Sequence, residues 1–532
     1  MNNHGILNLF ISDDLLTFEP TLTDPSYQRE SLVLDRKTFN LHLNAPPTAT
    51  LGQEHHIVVF GIIGLLSIHS GAVLIVISKK SKVGNLLGHE VFKIDSFKII
   101  KVNEKRVSEQ QKLDDLKYIE MINHLLSMDY YFSYTRDLTS SCQRLSQTNQ
   151  NLPLWKRAND EFFWNKNLVE KLIQSTQSNP ENDLSRFILP IICGFVHLQP
   201  KSLTTPFSYA LLARRSPYRA GTRYHTRGID ENGKVANFVE TEQIIQGHDD
   251  FVRSYVQIRG SIPIFWKQQV GVKYKPLLVI EKRQDTSELF QYHFRQLFAT
   301  YGPQIAINLI NKSGYEGPLG DEFAKQAIQM NDPQLRYIHF DFHHECRKMQ
   351  WHRISILIDE IKDDLVNQGY CIIKGNVMFK PQTSTVRTNC IDCLDRTNVL
   401  QSILAQKALE TQLIDLNLLT HGQSLTKYTE FYSIFKNVWA DHADAISTQY
   451  SGTGALKTDY TRTGKRTNIG VLTDAKNSIV RYIKNHYLDG TRQDAFDFVL
   501  GRYTIDSSIE SPFINLISFN FQKVCRIFKK KN

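Results

Sequence analysis

The segment from Val386 to Leu400 (VRTNCIDCLDRTNVL) restricts the possible folds of this chain more than any other stretch. The residues before it have the pattern of a strand, and a helix is predicted to begin at about Thr397 and to bury its aliphatic side chains. A strand that passes through a short loop into a helix is the repeating unit of α/β folds. The segment therefore predicts an α/β domain with this loop at the end of a strand.

Predicted strands and helices alternate ahead of this loop. Gln304 to Leu309 and Tyr370 to Phe379 are predicted strands, while Ser287 to Thr300 and Trp351 to Gln368 have helical spacing. Alternation of this kind is typical of a sheet covered by helices. The second half of the chain is thus predicted to be one α/β domain.

The first part of the chain is richer in strands, and we place the boundary between the two parts near residue 183. A polar loop from Ser175 to Asn182 precedes this point, and a continuous apolar run suited to a buried strand follows it. One helix is predicted in the first part, over Asp114 to Met128. Its predicted apolar face consists of Leu116, Ile119, Ile122 and Leu125.

The stretch from Ile57 to Ser78 has no charged residue and is long enough to cross a bilayer. Its apolar residues are mostly valine and isoleucine, which favour strands, and it contains three glycines. His69, Ser70 and Gly71 have the character of a turn. We therefore expect a buried β-hairpin here, with a membrane span as the alternative.

The chain carries a formal net charge of +9, and most of this excess lies near its end. From Ser451 to Asn532 there are 14 Lys and Arg residues against 7 Asp and Glu residues, so this stretch contributes 14 − 7 = +7. Such a surface predicts an anionic partner, which is a nucleic acid, an anionic membrane or a phosphorylated substrate. Arginine-rich runs interleaved with aromatic residues are absent from this stretch, so nucleic acid is not favoured.

The chain contains seven cysteines. Their small and odd number indicates a reducing compartment.

Cys390 and Arg396 are separated by five residues, a spacing that suits attack on a phosphate ester. A loop that enters a helix points several backbone N–H groups and the helix dipole at one place, which favours a thiolate and binds a phosphate dianion. Arg396 can then hold two phosphate oxygens with its guanidinium fork. Thr397 is predicted to donate its hydroxyl to the Cys390 sulfur, both at rest and when the sulfur leaves. The product of the first step would be a cysteinyl-phosphate that water hydrolyses.

The same loop contains Asp392 and Asp395. Carboxylates beside a phosphate are electrostatically unfavourable, so their presence needs a reason. A protonated aspartate can donate to the departing oxygen and then act as the base for the attacking water. From the sequence we slightly favour Asp392 over Asp395 in this role.

Cys390 and Cys393 are also spaced like half of a zinc site or like a redox pair. Zinc would need two more ligands, and His343, His344 and Cys346 could supply them only with a spacing that is not standard for structural zinc. We therefore expect no metal and no other cofactor. Reversible oxidation of the two cysteines remains compatible with a nucleophilic role for Cys390.

The sequence RTNCIDCLDRTN is similar to the signature of the SAC-domain (suppressor-of-actin type) phosphoinositide phosphatases. The resemblance extends from about residue 57 to residue 502, and it is closest to the members of the endoplasmic reticulum and Golgi that act on phosphatidylinositol 4-phosphate. The other matching segments are Asp160 to Asn165, Arg214 to Tyr224, Arg227 to Asp230, Ala236 to Glu242, Gln257 to Pro263, Phe340 to Glu345, Thr453 to Asp459 and Thr461 to Thr467.

The resemblance implies an α/β fold with three parts. These are an N-terminal SAC subdomain of mixed sheet and helix at residues 1–183, a catalytic α/β domain of the cysteine-dependent phosphatase type at 184–506, and a basic C-terminal tail at 507–532. It implies hydrolysis of phosphatidylinositol 4-phosphate, and less selectively of 3-phosphate and 3,5-bisphosphate lipids, without a metal cofactor. Cys390 matches the nucleophile and Arg396 the phosphate-binding arginine. We also expect a set of polar and basic residues to contact substrate: Asn389, Lys457, Arg462, Lys465 and Arg466.

The resemblance further implies phosphoinositide lipids and an anionic membrane surface as partners, at the cytosolic face of endoplasmic reticulum and Golgi membranes. The nearest members carry two transmembrane helices after the catalytic domain, whereas Ser511 to Asn532 is too polar to span a bilayer. This segment is expected to be either an interfacial helix or a solvated tail. A non-catalytic phosphoinositide-binding scaffold is the alternative function, although such a protein would be expected to lose one of the loop residues.

Two further clusters of charge have two interpretations each. A dense group of arginines either lines the active-site wall or, as we favour, forms internal salt bridges with Asp230, Glu240 and Glu242. Asp441 and Asp444 lie three residues apart on a predicted helix and either order the basic loop or form a solvated acidic turn. The arginines are Arg214, Arg215, Arg219, Arg223 and Arg227.

Overall fold

The computed structural model describes residues 3–21, 30–44, 56–269, 276–463 and 467–505. The predicted C-terminal tail at 507–532 lies outside the described residues. Up to residue 183 the described chain contains these elements: β1 (Leu7–Ile11), β2 (Leu15–Pro20), β3 (Ser31–Asp35), β4 (Leu41–Asn44), β5 (His56–Val59), β6 (Ile62–Ile68), β7 (Gly71–Leu86), β8 (His89–Lys101), α1 (Glu109–Leu126), β9 (Tyr130–Phe132), α2 (Cys142–Ser146), α3 (Leu154–Arg157) and α4 (Lys166–Ser178).

Strands and helices alternate in the rest of the chain. The elements are β10 (Ile192–Gln199), β11 (Ser208–Arg215), β12 (Val239–Gln246), β13 (Val252–Arg259), β14 (Trp266–Gln269), β15 (Leu277–Ile280), α5 (Thr286–Tyr301), β16 (Gln304–Asn308), α6 (Gly317–Met330), β17 (Leu335–His339), α7 (Phe342–Glu345), α8 (Ile354–Glu360), α9 (Lys362–Gln368), β18 (Cys371–Lys374), β19 (Val377–Lys380), β20 (Thr385–Asn389), α10 (Asp395–Asp415), α11 (Thr429–Ser451), α12 (Thr458–Thr463), α13 (Asn468–Tyr487) and α14 (Asp489–Val499).

One large mixed sheet organises the described part of the chain. Its main path runs β17-β16-β20-β13-β12-β11-β10-β9-β8-β7-β6, and a smaller antiparallel sheet has the order β4-β3-β2-β1-β5. Strands β17, β16, β20 and β13 are parallel neighbours, whereas the pairings from β13 to β6 are antiparallel. The predicted mixed α/β fold is confirmed.

Helices cover both faces of the parallel strands. Ile305 and Ile307 of β16 pack with Ile354 of α8 and Leu400 of α10, whereas Ala306 between them packs with α5 and α6. Alternating side chains of one strand point to opposite faces, so both faces of this strand are buried in protein. A sheet covered in this way leaves the carboxyl ends of its parallel strands as the place where a site can form.

The uncharged stretch from Ile57 to Ser78 folds as the predicted hairpin. Strands β6 and β7 pair antiparallel, and Ile68 lies opposite Gly71 at the turn. Val73, Ile75 and Ile77 are buried in the core. Among the described residues, no helix is long and apolar enough to cross a membrane.

The first helix begins earlier than predicted, and its buried face differs from the predicted one. Ser108 caps α1 through a capping box with Gln111, which fixes the start five positions before Asp114. Leu116 is 66% exposed, so its predicted place on the apolar face is wrong. The buried side includes Asp115, whose carboxylate accepts the amide N–H groups of His69 and Ser70 at the hairpin turn.

The large sheet continues across the predicted boundary at residue 183. Strand β9 pairs with β10 on the other side of this position. Tyr118 of α1 also packs against Phe498 of α14 in a tilted ring contact, with 4.6 Å between ring centroids. The division into 1–183 and 184–506 stays a prediction.

Arg214 forms the most deeply buried ion-pair network of the sheet. It donates to Glu240 and Glu242, each at 2.7 Å, and the three side chains are at most 3% exposed. Burial alone would lower the pKa of Arg214, but the two glutamates outweigh burial and raise it. The predicted internal salt bridging is confirmed for this arginine.

Replacement of Arg214 by methionine should strongly destabilise the fold, because it leaves two buried carboxylates without their cation. The expected loss in the free energy of unfolding is about 3–5 kcal/mol. Denaturant unfolding followed by circular dichroism measures it. Lys112→Ala, which removes an exposed ion pair with Glu109, is the control and should leave the midpoint unchanged. Equal stability of the Arg214→Met chain and the parent would show that the Arg214 cation does not stabilise the two buried glutamates.

Candidate functional site

The loop that follows β20 lies at the carboxyl edge of the parallel strands. Strand β20 ends at Asn389, Cys390 follows, and α10 begins at Asp395, two residues before the predicted start at Thr397. Strand β20 lies between β16 and β13 and is parallel to both. The loop after β16 therefore reaches the same edge of the sheet, and its residues meet the Cys390 loop there.

Side chains from other segments hold the backbone of the Cys390 loop. The carbonyl of Ile391 accepts from Arg227 at 2.8 Å, that of Asp392 from Asn237 at 3.2 Å, and that of Cys393 from Arg259 at 3.5 Å. The C=O and N–H of a trans peptide point in opposite directions. These contacts therefore direct the N–H group that follows each of these carbonyls away from the side chain that holds the carbonyl.

Cys390 is buried in this conformation. Its side chain is 3% exposed and belongs to a core cluster with Phe342, Cys346 and Leu400. A pocket of about 60 Å³ lies at the start of α10, and Arg396 and Asp395 are among its lining residues. Ligand sites usually occupy about 300–1,000 Å³, so this pocket is smaller than a usual ligand site, and we refer to this conformation, with Cys390 buried, as the closed state.

The guanidinium of Arg396 is paired with a carboxylate of the protein. Its two terminal nitrogens donate to the two carboxylate oxygens of Glu316, each at 2.8 Å. Arg396 also donates to Leu309 O and to Asn311 Oδ1 in the loop after β16. Burial opposes its charge, but Glu316 and the nearby Cys390 sulfur outweigh burial and raise the pKa of Arg396. Glu316 thus occupies the fork that is predicted to hold phosphate.

Asp392 is held by two arginines that precede β12. Arg223 contacts its Oδ2 at 2.8 Å and Arg227 its Oδ1 at 2.5 Å, and the Asp392 side chain is 13% exposed. Burial alone would raise the pKa of Asp392, but the two guanidinium groups outweigh it and hold this pKa far below its usual range. Asp392 is therefore an ionised anchor of the loop.

Asp395, the first residue of α10, is more accessible. Its Oδ1 accepts the backbone N–H of Leu456 at 2.9 Å, and its Oδ2 lies 3.9 Å from Arg481. The side chain is 33% exposed and lines the same pocket as Arg396. Of the two loop aspartates, Asp395 is the one that faces this pocket.

Two of the predicted site residues have other environments. Asn389 is fully buried and donates to Asn308 Oδ1 at 2.7 Å, which ties β20 to β16 and leaves no access to substrate. The Thr397 hydroxyl is buried and has no hydrogen-bond partner among the described residues. The contact between Thr397 and the Cys390 sulfur that is predicted for the resting state is therefore absent here.

The predicted basic contacts also differ from one another. Lys457 is exposed and lines the pocket beside Arg396. Arg462 is directed away from it, because it donates to Asp441 at 2.7 Å and to Asp444 at 3.3 Å on α11. These contacts agree with the interpretation that the two aspartates order the basic segment, and they occupy Arg462 in this conformation. The predicted contacts Lys465 and Arg466 lie outside the described residues.

Two fully buried arginines underneath the loop were not identified from the sequence as site residues. Arg259 donates to Cys393 O and to Asn398 Oδ1, and Arg387 donates to Ser261 O and to Asn389 Oδ1. Burial lowers the pKa of both guanidinium groups to about 10, and the Cys393 sulfur opposes this shift. Neither arginine has a carboxylate within ion-pair distance among the described residues. Both lie in the conspicuous segments QIRGSIP and RTNC, which is the signal that could have found them.

Burial raises the pKa of the Cys393 thiol to about 12, so this second cysteine is held in its protonated form.

The two histidines considered as zinc ligands, His343 and His344, are exposed on α7. Within the described ranges, no group of three or more His, Cys, Asp or Glu side chains is arranged to hold a metal ion.

Comparison with known proteins shows extensive similarity. The family described as SacI homology domain matches residues 60–347, a range that ends before Cys390. The chain is 40% identical over 521 residues to phosphatidylinositol-3-phosphatase SAC1-B of Danio rerio, which covers 93% of this chain and 87% of the relative. It is 39% identical over 475 residues to phosphatidylinositol-3-phosphatase SAC1 of Saccharomyces cerevisiae, with coverage of 87% and 75%. Phosphoinositide phosphatase SAC6 of Arabidopsis thaliana is 40% identical over 457 residues, with coverage of 84% and 76%.

Replacement of Asp392 by asparagine should destabilise the protein in a pH-dependent manner. A carboxyl whose pKa is lowered on folding stabilises the folded state at pH values above its pKa in the unfolded chain, about 3.9. This stabilisation is lost as the pH falls towards and through the pKa in the folded state. The expected difference in unfolding free energy between parent and Asp392→Asn is about 3 kcal/mol at pH 7, and it should narrow below about pH 4.

Denaturant unfolding between pH 3 and pH 7 measures this difference. Asp160→Asn, which removes an exposed ion pair with Lys166, is the control and should show no such trend. A difference that stays constant over the whole range would show that the Asp392 charge does not stabilise the loop.

Proposed function

This chain belongs to the SacI homology domain family, and from that premise we propose that it is a phosphoinositide phosphatase that hydrolyses phosphatidylinositol 4-phosphate through a cysteinyl-phosphate intermediate. The observation that supports this most directly is the position of Cys390 and Arg396. Cys390 lies in the loop at the carboxyl edge of the parallel strands, and Arg396 lies in the first turn of α10, the helix that this loop enters. The names of two relatives specify a 3-phosphatase, so the 3-phosphate and 3,5-bisphosphate lipids are competing substrates.

In the first step the Cys390 thiolate attacks phosphorus. A sulfur–phosphorus bond forms, the ester bond to the inositol oxygen breaks, and an acid gives that oxygen a proton. In the second step a water molecule attacks the phosphorus and loses a proton to the same carboxylate, while the sulfur–phosphorus bond breaks. The products are the dephosphorylated lipid and inorganic phosphate.

Substrate binding requires Arg396 to exchange its partner. Its fork is held by Glu316 in the closed state, and a phosphate dianion offers the same two-oxygen geometry with more negative charge. The fully buried Arg259 and Arg387 add positive charge beneath the loop that no carboxylate balances among the described residues. Both features favour a dianion over the carboxylate once the pocket opens.

We favour Asp395 as the proton donor, which reverses the slight preference drawn from the sequence. Arg223 and Arg227 hold Asp392 in its ionised form, and an ionised carboxylate has no proton to donate. Asp395 is more exposed and lies in the pocket beside Arg396. Asp392 then acts as an anchor that fixes the loop.

The proposed place of action is the cytosolic face of endoplasmic reticulum and Golgi membranes, with anionic lipids as the partner surface. Exposed Lys457 beside the pocket supports the anionic partner surface, since basic residues near an anionic leaflet each contribute about 1 kcal/mol. A non-catalytic phosphoinositide-binding scaffold is the alternative, and the Glu316 contact that closes the Arg396 fork is the observation in its favour.

Cys390→Ser should abolish phosphate release from short-chain phosphatidylinositol 4-phosphate while the fold is retained, because an alcohol is a far weaker nucleophile than a thiolate.

Arg396→Lys should also lose activity, by about 100-fold or more, because an ammonium cannot form the fork. Phosphate release across a panel of phosphoinositides, with and without chelator, measures both. An inactive parent chain would favour the scaffold, and substantial turnover by Cys390→Ser would exclude the cysteinyl-phosphate.

The two aspartate variants should differ in their pH profiles. Asp395→Asn should lower kcat and remove the limb of the pH profile that reports the protonated acid. Asp392→Asn should weaken the fold and reduce activity, but leave the shape of the profile unchanged. A substrate with a good leaving group needs little protonation, so it should rescue Asp395→Asn selectively. If this substrate rescued Asp392→Asn and not Asp395→Asn, Asp392 would be the proton donor.

A further inference from the structure

Helix α13 has its polar side buried and its apolar side exposed. Arg481 is 5% exposed and Asn485 is 1% exposed, whereas Leu472 is 72% exposed and Ile479 is 62% exposed. A surface helix of a globular protein ordinarily has the opposite arrangement, with its apolar stripe against the core. The exposed side of α13 therefore lacks a partner among the described residues.

The exposed residues form one continuous stripe. Spacings of three and four residues place side chains on the same face of a helix. Ile469, Leu472, Ile479 and Ile483 follow this spacing, with Lys476 between them, and their exposed fractions range from 49% to 78%. Val471 and Leu488 extend the apolar surface, at 48% and 51% exposed. We call this surface the α13 stripe.

The buried side explains why the helix cannot simply rotate its apolar face inward. Arg481 donates to Thr453 Oγ1, Ser447 Oγ and Gly454 O at 2.8–3.0 Å, and Asn485 donates to Ser451 O at 2.9 Å. These bonds satisfy polar groups at the end of α11 and in the segment after it. Apolar side chains in their place would leave those groups buried without partners, which is costly.

The α13 stripe lies beside the candidate active site. Arg481 on the buried side lies 3.9 Å from Asp395, and Asp474 of the same helix accepts the backbone N–H of Lys457 at 3.0 Å. Lys457 and Asp395 both line the pocket at the start of α10. A surface that docks against α13 would therefore adjoin the opening to Arg396.

We propose that the α13 stripe docks on the surface of an anionic phospholipid bilayer, with its apolar side chains inserted at the level of the headgroups. This inference rests on the proposed function and identifies the surface by which that same site meets its substrate. A helix with an apolar face and basic residues suits the bilayer interface. Lys476 within the stripe and Lys457 beside it complement the negative charge of such a surface. A soluble partner would not explain why this stripe adjoins the pocket for which we propose a lipid headgroup.

The test uses the full chain and vesicles of phosphatidylcholine with or without phosphatidylserine. The double variant Leu472→Gln and Ile479→Gln should reduce binding to the anionic vesicles by about 100-fold, roughly tenfold for each lost apolar contact. Lys476→Gln should weaken binding less and should reduce its dependence on salt. These side chains are exposed, so circular dichroism and the melting temperature should stay at the parent values.

The matched control is the double variant Ile328→Gln and Ile356→Gln. These isoleucines are 75% and 49% exposed on two other helices, α6 and α8, so the control removes the same kind of side chain outside α13. It should bind vesicles like the parent. Vesicle binding lost equally in both double variants would overturn the proposal, since general surface hydrophobicity would then explain it.

A kinetic comparison separates this proposal from the proposed function. With phosphatidylinositol 4-phosphate in vesicles, the stripe variant should raise the apparent KM about tenfold or more, whereas kcat/KM for the water-soluble short-chain lipid should stay unchanged. If the parent chain is inactive on both lipids, the proposed function is refuted, but the docking surface is not, because vesicle binding is measured without catalysis. Unchanged vesicle binding by the stripe variant refutes the docking surface only.

Two other occupants are distinguished by the same variants. If the stripe joined two copies of the chain, the parent would be a dimer in lipid-free solution and the stripe variant a monomer that still binds vesicles. If residues 507–532 carried the bilayer contact, their removal would abolish vesicle binding while the stripe variant retained it. Either result would overturn the proposal.

Discussion

The balance of buried charge around the Cys390 loop is the constraint on which the candidate site depends. Guanidinium groups of Arg223, Arg227 and Arg396 meet the carboxylates of Asp392 and Glu316, and every one of these contacts is largely shielded from water. Arg259 and Arg387 are fully buried, and within the part of the chain that the structure describes they bond to neutral groups alone. Buried charges are expensive unless they are paired, so an excess of cations is stable only where the backbone carbonyls and amides of the loop compensate it. The same excess makes the loop a place where a dianion is favoured.

The parts of this arrangement that could be predicted from the sequence are those that depend on local pattern. The strand, loop and helix around Cys390 follow from periodicity. The hairpin of β6 and β7 follows from apolar, strand-favouring residues on both sides of a turn. The failures concern partners that are distant in sequence. Periodicity puts Leu116 on a buried face, because nothing local shows that Asp115 caps the turn at His69.

The same limit explains which site residues the sequence misplaces. Asn389 adjoins Cys390 in sequence, but the strand order puts its amide against Asn308 of β16, inside the sheet. Charge alone assigns Arg462 to substrate, whereas its contacts with Asp441 and Asp444 depend on how α12 packs on α11. Glu316, which occupies the Arg396 fork, lies 80 residues away in sequence and belongs to no segment with a recognisable pattern.

The closed state and the exposed helix are connected through one side chain. Arg481 bonds to the segment at Thr453 and Gly454 and lies near Asp395, so any displacement of α13 acts on a wall of the pocket. Cys390 is buried and Arg396 is occupied by Glu316, which means that substrate access needs a change at this wall or in the loop. Binding of the apolar side of α13 to a bilayer could therefore provide free energy for a change at this wall of the pocket. Since a ligand shifts an equilibrium only by its different affinity for the two states, coupling of this kind requires that the lipid-bound position of α13 differ from the one seen here.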